Sequence, residues 1–216
     1  MSTGSGTEVD LRAAMVRWGK SIFDRGLTAG SSGNISVKLD DGFLCTPTNS
    51  CLGALDADSI SRLDASWSHI GGDRPTKEVP LHRAFYEKRA SAGAVVHLHA
   101  TYSTALSCLA SIDAGDALPP ITPYAVMRFG RVPVLPYRRP GSPDLGDLIA
   151  GVAERHNAVL LANHGPVVAG ATLESAIFAM EELEETAKLW FLTRDNNPRL
   201  LDADQVDELR RLHPVK

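Results

Sequence analysis

Short apolar segments of strand length alternate along this chain with longer segments of helical periodicity, and this alternation most constrains the fold. Residues 94–99, 132–135 and 159–162 form apolar runs that suit buried strands. Residues 11–25 repeat apolar side chains at helical spacing, and Thr172 caps the strongest helical pattern. Because the two kinds of segment alternate irregularly, the sequence predicts an α/β fold with a central mixed sheet that helices cover.

Turn and capping signals predict the remaining elements. Asp40-Asp41-Gly42 separates two strand-like segments and predicts a β-hairpin. Further helices are predicted at residues 56–63, 80–89, 102–109 and 145–155. The helix after Thr172 has an acidic face, which is interpreted as exposed to solvent rather than as a metal site. That face comprises Glu181, Glu182, Glu184 and Glu185.

Length and composition predict one globular domain. The chain has 216 residues, of which 44% are hydrophobic and 22% charged. Residues 1–10 are small and polar, which predicts a flexible tail and no signal peptide, followed by a single domain over residues 11–216. The net charge of −4 offers no basic surface for nucleic acid, and no apolar run is long enough for a membrane span. Three cysteines without CxxC spacing predict reduced thiols and a cytoplasmic location.

Two histidines, His97 and His99, are separated by one residue inside a predicted strand. Side chains at such positions point to the same side of a strand, with Cα atoms about 7 Å apart, so both imidazoles can reach one metal ion. A single histidine on a strand is usually a core or surface residue. Two on one face of an apolar strand favour metal chelation, because burying two unpaired imidazoles is costly.

The third candidate ligand is His164, in the turn Asn163-His164-Gly165 that follows an apolar strand. Ligands collect at strand ends in α/β sheets, although the same residues also suit a simple turn. Three histidines with one open position are typical of a catalytic rather than a structural zinc site. The other four histidines lack paired spacing and are interpreted as structural residues: His69, His82, His156 and His213.

Glu78 stands at the entry to the helix predicted at residues 80–89. One interpretation is an acidic residue that is favourable near a helix N-terminus. The other is a carboxylate beside the metal, able to bind it or to move protons. The sequence pattern alone leaves both interpretations open.

Two loops, residues 30–34 and 46–50, are rich in small, hydroxyl-bearing and turn-forming residues. Such loops can offer backbone N–H groups and hydroxyls to a phosphate. Neither loop matches the Walker pattern or the dinucleotide glycine pattern, so the loops alone predict phosphate binding only weakly.

Six motifs follow one another over residues 11–192, and together they resemble the class II aldolase/adducin family. They are Gly26-Leu27-Thr28, Ser32-Gly33-Asn34-Ile35-Ser36, Thr46-Pro47-Thr48, Glu78, His97-Leu98-His99 and Asn163-His164-Gly165. The resemblance implies a three-layer α/β/α sandwich around a mixed, mainly antiparallel sheet. It also implies a homotetramer whose active sites lie near subunit contacts.

The resemblance also implies roles for individual residues. His97, His99 and His164 match the ligands of a divalent cation, which is expected to be zinc or another ion such as manganese or cobalt. Glu78 matches the catalytic carboxylate, which can also touch the metal. The residues expected to bind the substrate and its phosphate are Ser32, Gly33, Asn34, Thr48, Asn49, Thr76 and Lys77.

Two stretches depart from the sugar-phosphate aldolases of the family, which have Thr-Pro-Thr-Gly and Ser-Ser-Glu there. This chain has Thr46-Pro47-Thr48-Asn49 and Thr76-Lys77-Glu78. With residues 118–124 and 181–188, these stretches look most like the branch that decarboxylates 3-oxo-tetronate 4-phosphate. The expected reaction releases carbon dioxide, leaves an enediolate that the cation stabilises, and gives dihydroxyacetone phosphate.

Two alternatives remain at this stage. The first is a class II sugar-phosphate aldolase or epimerase of the fuculose or ribulose phosphate type, since the same enediolate chemistry serves several reactions. The second is a non-enzymatic, adducin-like interaction module, which need not keep the metal ligands. All three histidines and Glu78 are present here, which favours an enzyme over such a module. The partner that the resemblance implies is a small phosphorylated sugar-acid substrate.

Overall fold

The computed structural model describes residues 7–215, which form eight β-strands and seven α-helices. The strands are β1 (Asn34–Leu39), β2 (Gly42–Cys45), β3 (Ser61–Asp64), β4 (His69–Gly71), β5 (Ala94–His97), β6 (Val134–Leu135), β7 (Ala158–Leu161) and β8 (Gly165–Gly170). The helices are α1 (Glu8–Asp24), α2 (Val79–Lys88), α3 (Thr101–Ser107), α4 (Pro123–Phe129), α5 (Pro143–Ala150), α6 (Leu173–Thr193) and α7 (Ala203–Leu212).

All eight strands belong to one sheet, in the order β4-β3-β2-β1-β5-β8-β7-β6. Only β6 and β7 pair in parallel among the described strands, and the other neighbours pair antiparallel. The sheet is therefore mixed and mainly antiparallel, as expected. In the centre, β5 lies between β1 and β8, although these strands are far apart in sequence.

Helices cover both faces of the sheet and make three layers. On one face, α1, α3, α4 and α6 bury an apolar cluster that includes Val96 and Met180. On the other face, α2 and α5 bury a second cluster that includes Val95 and Phe85. Neighbouring residues of a strand point to opposite faces, and helices bury both faces of β5. Both sets of its side chains are therefore apolar, which explains the continuous apolar run in the sequence. The predicted α/β/α sandwich is confirmed.

The helix predicted at residues 56–63 is wrong. The structure has turns in this region, and β3 begins at Ser61 and pairs with β2. The Asp56 carboxylate accepts a hydrogen bond from the backbone N–H of Asp58, at 3.0 Å. Such local side-chain bonds offer the backbone an alternative to helical pairing, and an apolar periodicity of eight residues does not reveal them.

The first helix begins earlier than predicted. Thr7 caps α1, because its hydroxyl accepts from the Asp10 backbone N–H while the Asp10 carboxylate accepts from the Thr7 backbone N–H. Residues 8–10 therefore belong to the helix rather than to the predicted tail of residues 1–10. Residues 1–6 of that tail lie outside the described residues.

The acidic face of α6 is also only partly what the sequence predicts. Glu185 is exposed, but Glu184 is buried. The Glu184 carboxylate accepts hydrogen bonds from the backbone N–H groups of Tyr102 and Ser103, each at 2.8 Å, and from the Ser103 hydroxyl. Glu184 thus caps the N-terminus of α3 from another helix, where N–H groups have no partner within their own helix.

Candidate active site

The site lies where β1, β5 and β8 meet, at one end of the central strands. Asn34 at the start of β1 pairs with His97 at the end of β5. The neighbour on the other side of β5 is β8, and His164 directly precedes its first residue. The antiparallel register thus brings together residues that lie more than sixty positions apart in the sequence.

The three histidines form a compact triangle. Ring centroids are 5.0 Å apart for His97 and His99, 4.8 Å for His97 and His164, and 5.0 Å for His99 and His164. One ring nitrogen from each residue can be chosen so that the three atoms lie within 4.8 Å of one another. His99 lies just beyond β5 rather than within it, yet the two side chains still converge as the sequence predicts.

The backbone fixes the ring of His97. Its Nδ1 lies 2.8 Å from the carbonyl oxygen of Pro166 in β8. A carbonyl only accepts, so Nδ1 carries the proton and Nε2 presents its lone pair to the site. Such a hydrogen bond on the far side of the ring is the usual arrangement for a metal-binding histidine.

The turn that carries His164 has an unusual backbone. Asn163 has φ 56°, in the left-handed region that asparagine tolerates better than most residues. Gly165 has φ 148°, and a Cβ there would lie 2.6 Å from the carbonyl oxygen of Leu98. Asn163-His164-Gly165 is therefore a turn, and its residue types are needed to place His164 against β5.

Glu78 faces the triangle from the N-terminus of α2. Its Oε2 lies 3.5 Å from His97 Nε2, and its Oε1 lies 3.5 Å from His164 Nε2. The Asn34 amide donates a hydrogen bond to Oε2 at 2.8 Å. Glu78 makes no side-chain cap bond to its own helix, so its carboxylate is directed at the histidines instead.

Several buried polar atoms in this cluster have no hydrogen-bond partner among the described residues: Glu78 Oε1, His97 Nε2, His164 Nδ1 and His164 Nε2. Burying unpaired polar atoms is costly unless another group satisfies them. A divalent cation would satisfy convergent imidazole nitrogens and a carboxylate oxygen, since these are the ligand atoms that zinc prefers. The donor set therefore fits a catalytic divalent metal ion.

The protonation of the cluster suits a cation. Burial lowers the pKa of His97, His99 and His164, so the imidazoles are neutral near neutral pH. Burial acts to raise the pKa of Glu78, but that pKa lies below its usual value, because the carboxylate faces the histidines and accepts a hydrogen bond from the Asn34 amide. Neutral imidazoles and an ionised carboxylate are the forms that bind metal ions.

A cavity of about 560 Å³ opens beside the cluster. His99, His164 and Glu78 line it. So do all seven residues predicted to bind the substrate and its phosphate: Ser32, Gly33, Asn34, Thr48, Asn49, Thr76 and Lys77. The volume suits a small metabolite. The structure therefore brings every predicted site residue to one place, with buried His97 behind the others.

The loops around the cavity support one another. The backbone N–H of Thr76 donates to the carbonyl of Thr46, and that of Thr48 donates to the carbonyl of Arg74. Asn49 has φ 59° and sits at the exposed turn of its loop. The two stretches that depart from the aldolase pattern are thus hydrogen-bonded neighbours in space.

Three of the residues predicted to bind phosphate also have structural roles in the loops. The Ser32 hydroxyl donates to the carbonyl of Ala29, at 2.6 Å. The Thr76 hydroxyl accepts from the backbone N–H of Glu78, at 3.2 Å. Gly33 has φ 81°, and a Cβ there would lie 2.9 Å from a Leu98 methyl carbon. These residues shape the cavity wall as well as lining it.

Asn34 makes two side-chain hydrogen bonds that its predicted role in phosphate binding does not include. Its amide nitrogen donates to Glu78, and its amide oxygen lies 2.5 Å from Nε2 of the fully buried His82. Sequence reasoning assigned His82 to a structural role because it lacked a second histidine nearby. The missed signal is its spacing from Glu78, since residues four apart lie on the same face of a helix.

Five further residues line the cavity without having been predicted as site residues: Ser31, Pro47, Thr104, Pro140 and Asn163. Pro140 comes from the loop before α5, and Gly141 beside it packs against Lys77. No motif marks the residues of this loop, because only the fold brings it over the end of the central strands.

Comparison with known proteins identifies the family. Residues 13–191 match the family described as Class II Aldolase and Adducin N-terminal domain. The chain belongs to this family. Among class II aldolase relatives, the 3-oxo-tetronate 4-phosphate decarboxylase of Pectobacterium atrosepticum is 53% identical over 212 residues, covering 95% of this chain and 97% of that protein.

Other class II aldolase relatives share the fold and part of the sequence. The crystal structure of Escherichia coli YgbL, described in terms of aldolase, epimerase and decarboxylase activity, superposes with a TM-score of 0.93. The two are 48% identical, with 95% of this chain and 100% of that chain covered. The L-fuculose phosphate aldolase of Escherichia coli strain CFT073 is 35% identical over 170 residues, covering 78% of this chain and 76% of that protein.

Proposed function

We propose that this protein is a metal-dependent carboxy-lyase that converts 3-oxo-tetronate 4-phosphate to dihydroxyacetone phosphate and carbon dioxide. The observation that carries the metal dependence is the convergence of three histidines and Glu78 on one point beside a cavity. The substrate is supported by the 53% identity to a decarboxylase with this activity in its name, against 35% to the fuculose phosphate aldolase.

His97, His99 and His164 are proposed to hold the cation, with Glu78 as a further ligand before substrate binds. We propose zinc, with manganese or cobalt as alternatives, since imidazole suits several transition metals. When bound, such an ion supplies Lewis-acid polarisation of the oxygens next to the reacting carbon. The Pro166 carbonyl contributes by fixing the tautomer and the orientation of His97.

Glu78 is proposed to manage the proton of the reaction. Loss of carbon dioxide leaves an electron pair on the former α-carbon, which must gain a proton to become the hydroxymethyl group of the product. Glu78 is the carboxylate that faces the histidines, and both of its oxygens lie within reach of their ring nitrogens. A group that exchanges its metal contact for a proton-transfer role needs such a position.

Phosphate binding is proposed for the loops that line the other side of the cavity. Among the residues predicted to bind phosphate, Thr48, Asn49 and Lys77 have side chains without a hydrogen bond or ion pair to another described residue. Lys77 also adds a positive charge. Lys77 lies next to Glu78 in sequence, so it can orient either the phosphate or the substrate carboxylate that leaves. We also propose that α1 and the residues that follow it act as a single catalytic domain.

The aldolase or epimerase alternative uses the same site, and the identity to the fuculose phosphate aldolase supports it as a family relationship. An adducin-like module needs no convergent ligands, whereas this chain retains four.

No helix among residues 7–215 is long and apolar enough to cross a membrane. A cytoplasmic location is proposed because the three cysteines are free.

The metal requirement is tested with purified protein and the phosphorylated keto acid. A chelator should abolish formation of dihydroxyacetone phosphate, and zinc or a similar cation should restore it. His97→Ala should remove most of the bound metal, whereas the exposed His213→Ala should not. Undiminished turnover in protein shown to be free of metal would contradict the proposal.

A further inference from the structure

A continuous chain of buried hydrogen bonds runs from Glu78 into the space between α2 and the sheet. Asn34 links Glu78 to His82, whose Nε2 lies 2.5 Å from the Asn34 amide oxygen. His82 Nδ1 lies 2.8 Å from the Ser36 hydroxyl, and that hydroxyl lies 2.9 Å from the Tyr86 hydroxyl. All five residues are buried, and Ser36 and His82 are fully inaccessible.

The direction of each hydrogen bond follows from the chemistry of the groups. The Asn34 amide oxygen can only accept, so His82 Nε2 carries a proton. Burial lowers the pKa of His82 to about 4, so the ring is neutral near neutral pH and Nδ1 is an acceptor. Ser36 therefore donates to Nδ1, and its oxygen accepts from Tyr86. With Glu78 ionised, this arrangement of protons satisfies the whole chain.

An ionised Glu78 carboxylate can only accept, so it requires the NH₂ end of the Asn34 amide, and the His82 Nε2–H group holds the other end of that amide. With the oxygen held by His82 Nε2–H, the NH₂ group faces the Glu78 carboxylate and donates to it. If the amide were rotated by 180°, its oxygen would face a carboxylate oxygen, and its NH₂ would face an N–H. Both contacts would then be repulsive. His82 thus fixes the donor that Glu78 meets.

We infer that His82 is a positioning residue for Glu78 that acts through Asn34. In its Nε2–H form, the ring holds the Asn34 amide so that one Glu78 oxygen stays on the amide and the other remains directed at His164. The inference rests on the proposed role of Glu78 in the reaction. It assigns His82, one helical turn after Glu78, to the active site without contact to the substrate or metal.

A purely structural role would not require this chemistry. His82 packs on the face of α2 that also carries the buried Leu81 and Phe85, where an apolar side chain would fill the space without needing partners. A buried polar chain is costly unless every member is satisfied, and the Asn34 amide nitrogen finds its acceptor in the Glu78 carboxylate of the site. The chain of hydrogen bonds therefore connects the buried His82 to Glu78 in the site.

The proton arrangement can be measured directly in the wild-type protein loaded with metal. Ring ¹⁵N chemical shifts should show His82 with a protonated Nε2 and an unprotonated Nδ1 between pH 6 and 8. This measurement does not depend on any substrate. A His82 ring that is protonated on Nδ1, or on both nitrogens in that range, would overturn the inference.

Two substitutions separate positioning from packing. His82→Leu removes the donor to Asn34, whereas His82→Gln retains an N–H group in a similar place. His82→Leu should lower kcat by about 10- to 100-fold, the usual cost of losing a residue that orients a metal-site ligand, with KM and metal content little changed. His82→Gln should restore most of kcat. The exposed His213→Leu serves as the matched control and should leave kcat unchanged.

The double variant tests whether His82 acts through Asn34. If it does, His82→Leu should cost less than about twofold in kcat when Asn34 is already alanine, because residues in one network are not additive. Equal losses in both backgrounds would refute the inference, as would a folded His82→Gln protein as slow as His82→Leu. If the wild type turns over no keto acid, the proposed function fails, while the ring-nitrogen spectrum still tests the chain.

Discussion

The Glu78 carboxylate faces two different partners, and both contacts follow from its position just before α2. One oxygen accepts from the Asn34 amide, and the other has no hydrogen-bond partner among the described residues and faces His164. A helix N-terminus favours a negative charge, which was one of the two interpretations from sequence. The structure shows that the carboxylate is turned toward the histidines, so the functional interpretation is the better supported.

We predict that Glu78→Gln lowers turnover by about 10²-fold or more, since the amide cannot carry the proton in acid–base catalysis. The side chain keeps its size, so the midpoint temperature of unfolding should change little. Steady-state kinetics and thermal unfolding check both parts. Glu87→Gln is the matched control, because Glu87 lies in the same helix but on the surface. Wild-type turnover in Glu78→Gln would return the residue to a helix-terminus role.

At the residue level, part of the histidine cluster was predictable because two of its members are close in sequence. His97 and His99 are separated by one residue, and that spacing predicts convergence, although His99 lies just beyond β5. The network behind Glu78 was not predictable in the same way. Asn34 and Ser36 reach His82 only because α2 packs over β1, and no sequence distance encodes that packing.

At the element level, α3 is attached to the cluster through His99, since it begins two residues after that histidine. Its first N–H groups are satisfied by Glu184 of α6 rather than by a residue of its own loop. The position of His99 therefore depends on a contact between two helices that cover the same face of the sheet.

We predict that Glu184→Ala lowers the free energy of unfolding by about 2 kcal/mol, the usual cost of removing hydrogen bonds to a charged group. Two backbone N–H groups at the start of α3 would lose their partner, and metal affinity should fall because His99 is adjacent. Denaturant unfolding and metal titration measure the two effects. Glu185→Ala, one residue further along on the exposed face, should change stability by less than about 0.5 kcal/mol. Equal effects in the two variants would contradict the capping role.

Capping signals revealed some elements and not others, since α6 was predicted while α7, which also begins with a capping box at Asp202, was not. Thr172 and the apolar pattern after it predicted α6, and its capping box is present. The sequence predicted no strand at β8, which contains Gly165 and Pro166 and is defined by pairing with β5 and β7. Strand preference depends on such neighbours more than on the segment itself.

At the scale of the whole molecule, apolar side chains remain exposed on several elements. Phe178, Leu189 and Leu192 lie on α6, and Leu192 is 60% exposed. Exposed apolar side chains that share one helix are suited to contacts between proteins where they form a contiguous patch. This observation supports the homotetramer that the family resemblance implies.

We predict that the purified protein has a mass about four times the 23.2 kDa of one chain. Light scattering coupled to gel filtration measures it, and dilution to working enzyme concentrations should not change it if the association is obligate. A monomeric mass at concentrations where the protein is fully active would refute the tetramer and would leave the exposed side chains of α6 without this explanation.

The most direct test of the proposed reaction is the leaving fragment. Metal-loaded protein incubated with 3-oxo-tetronate 4-phosphate should release carbon dioxide and dihydroxyacetone phosphate in equal amounts, while fuculose 1-phosphate should be cleaved poorly or not at all. Lys77→Ser should slow the keto acid reaction more than it weakens inorganic phosphate binding, because the lost cation would otherwise orient the departing carboxylate. Efficient cleavage of the ketose phosphate without carbon dioxide from the keto acid would contradict the decarboxylase and establish the aldolase in its place.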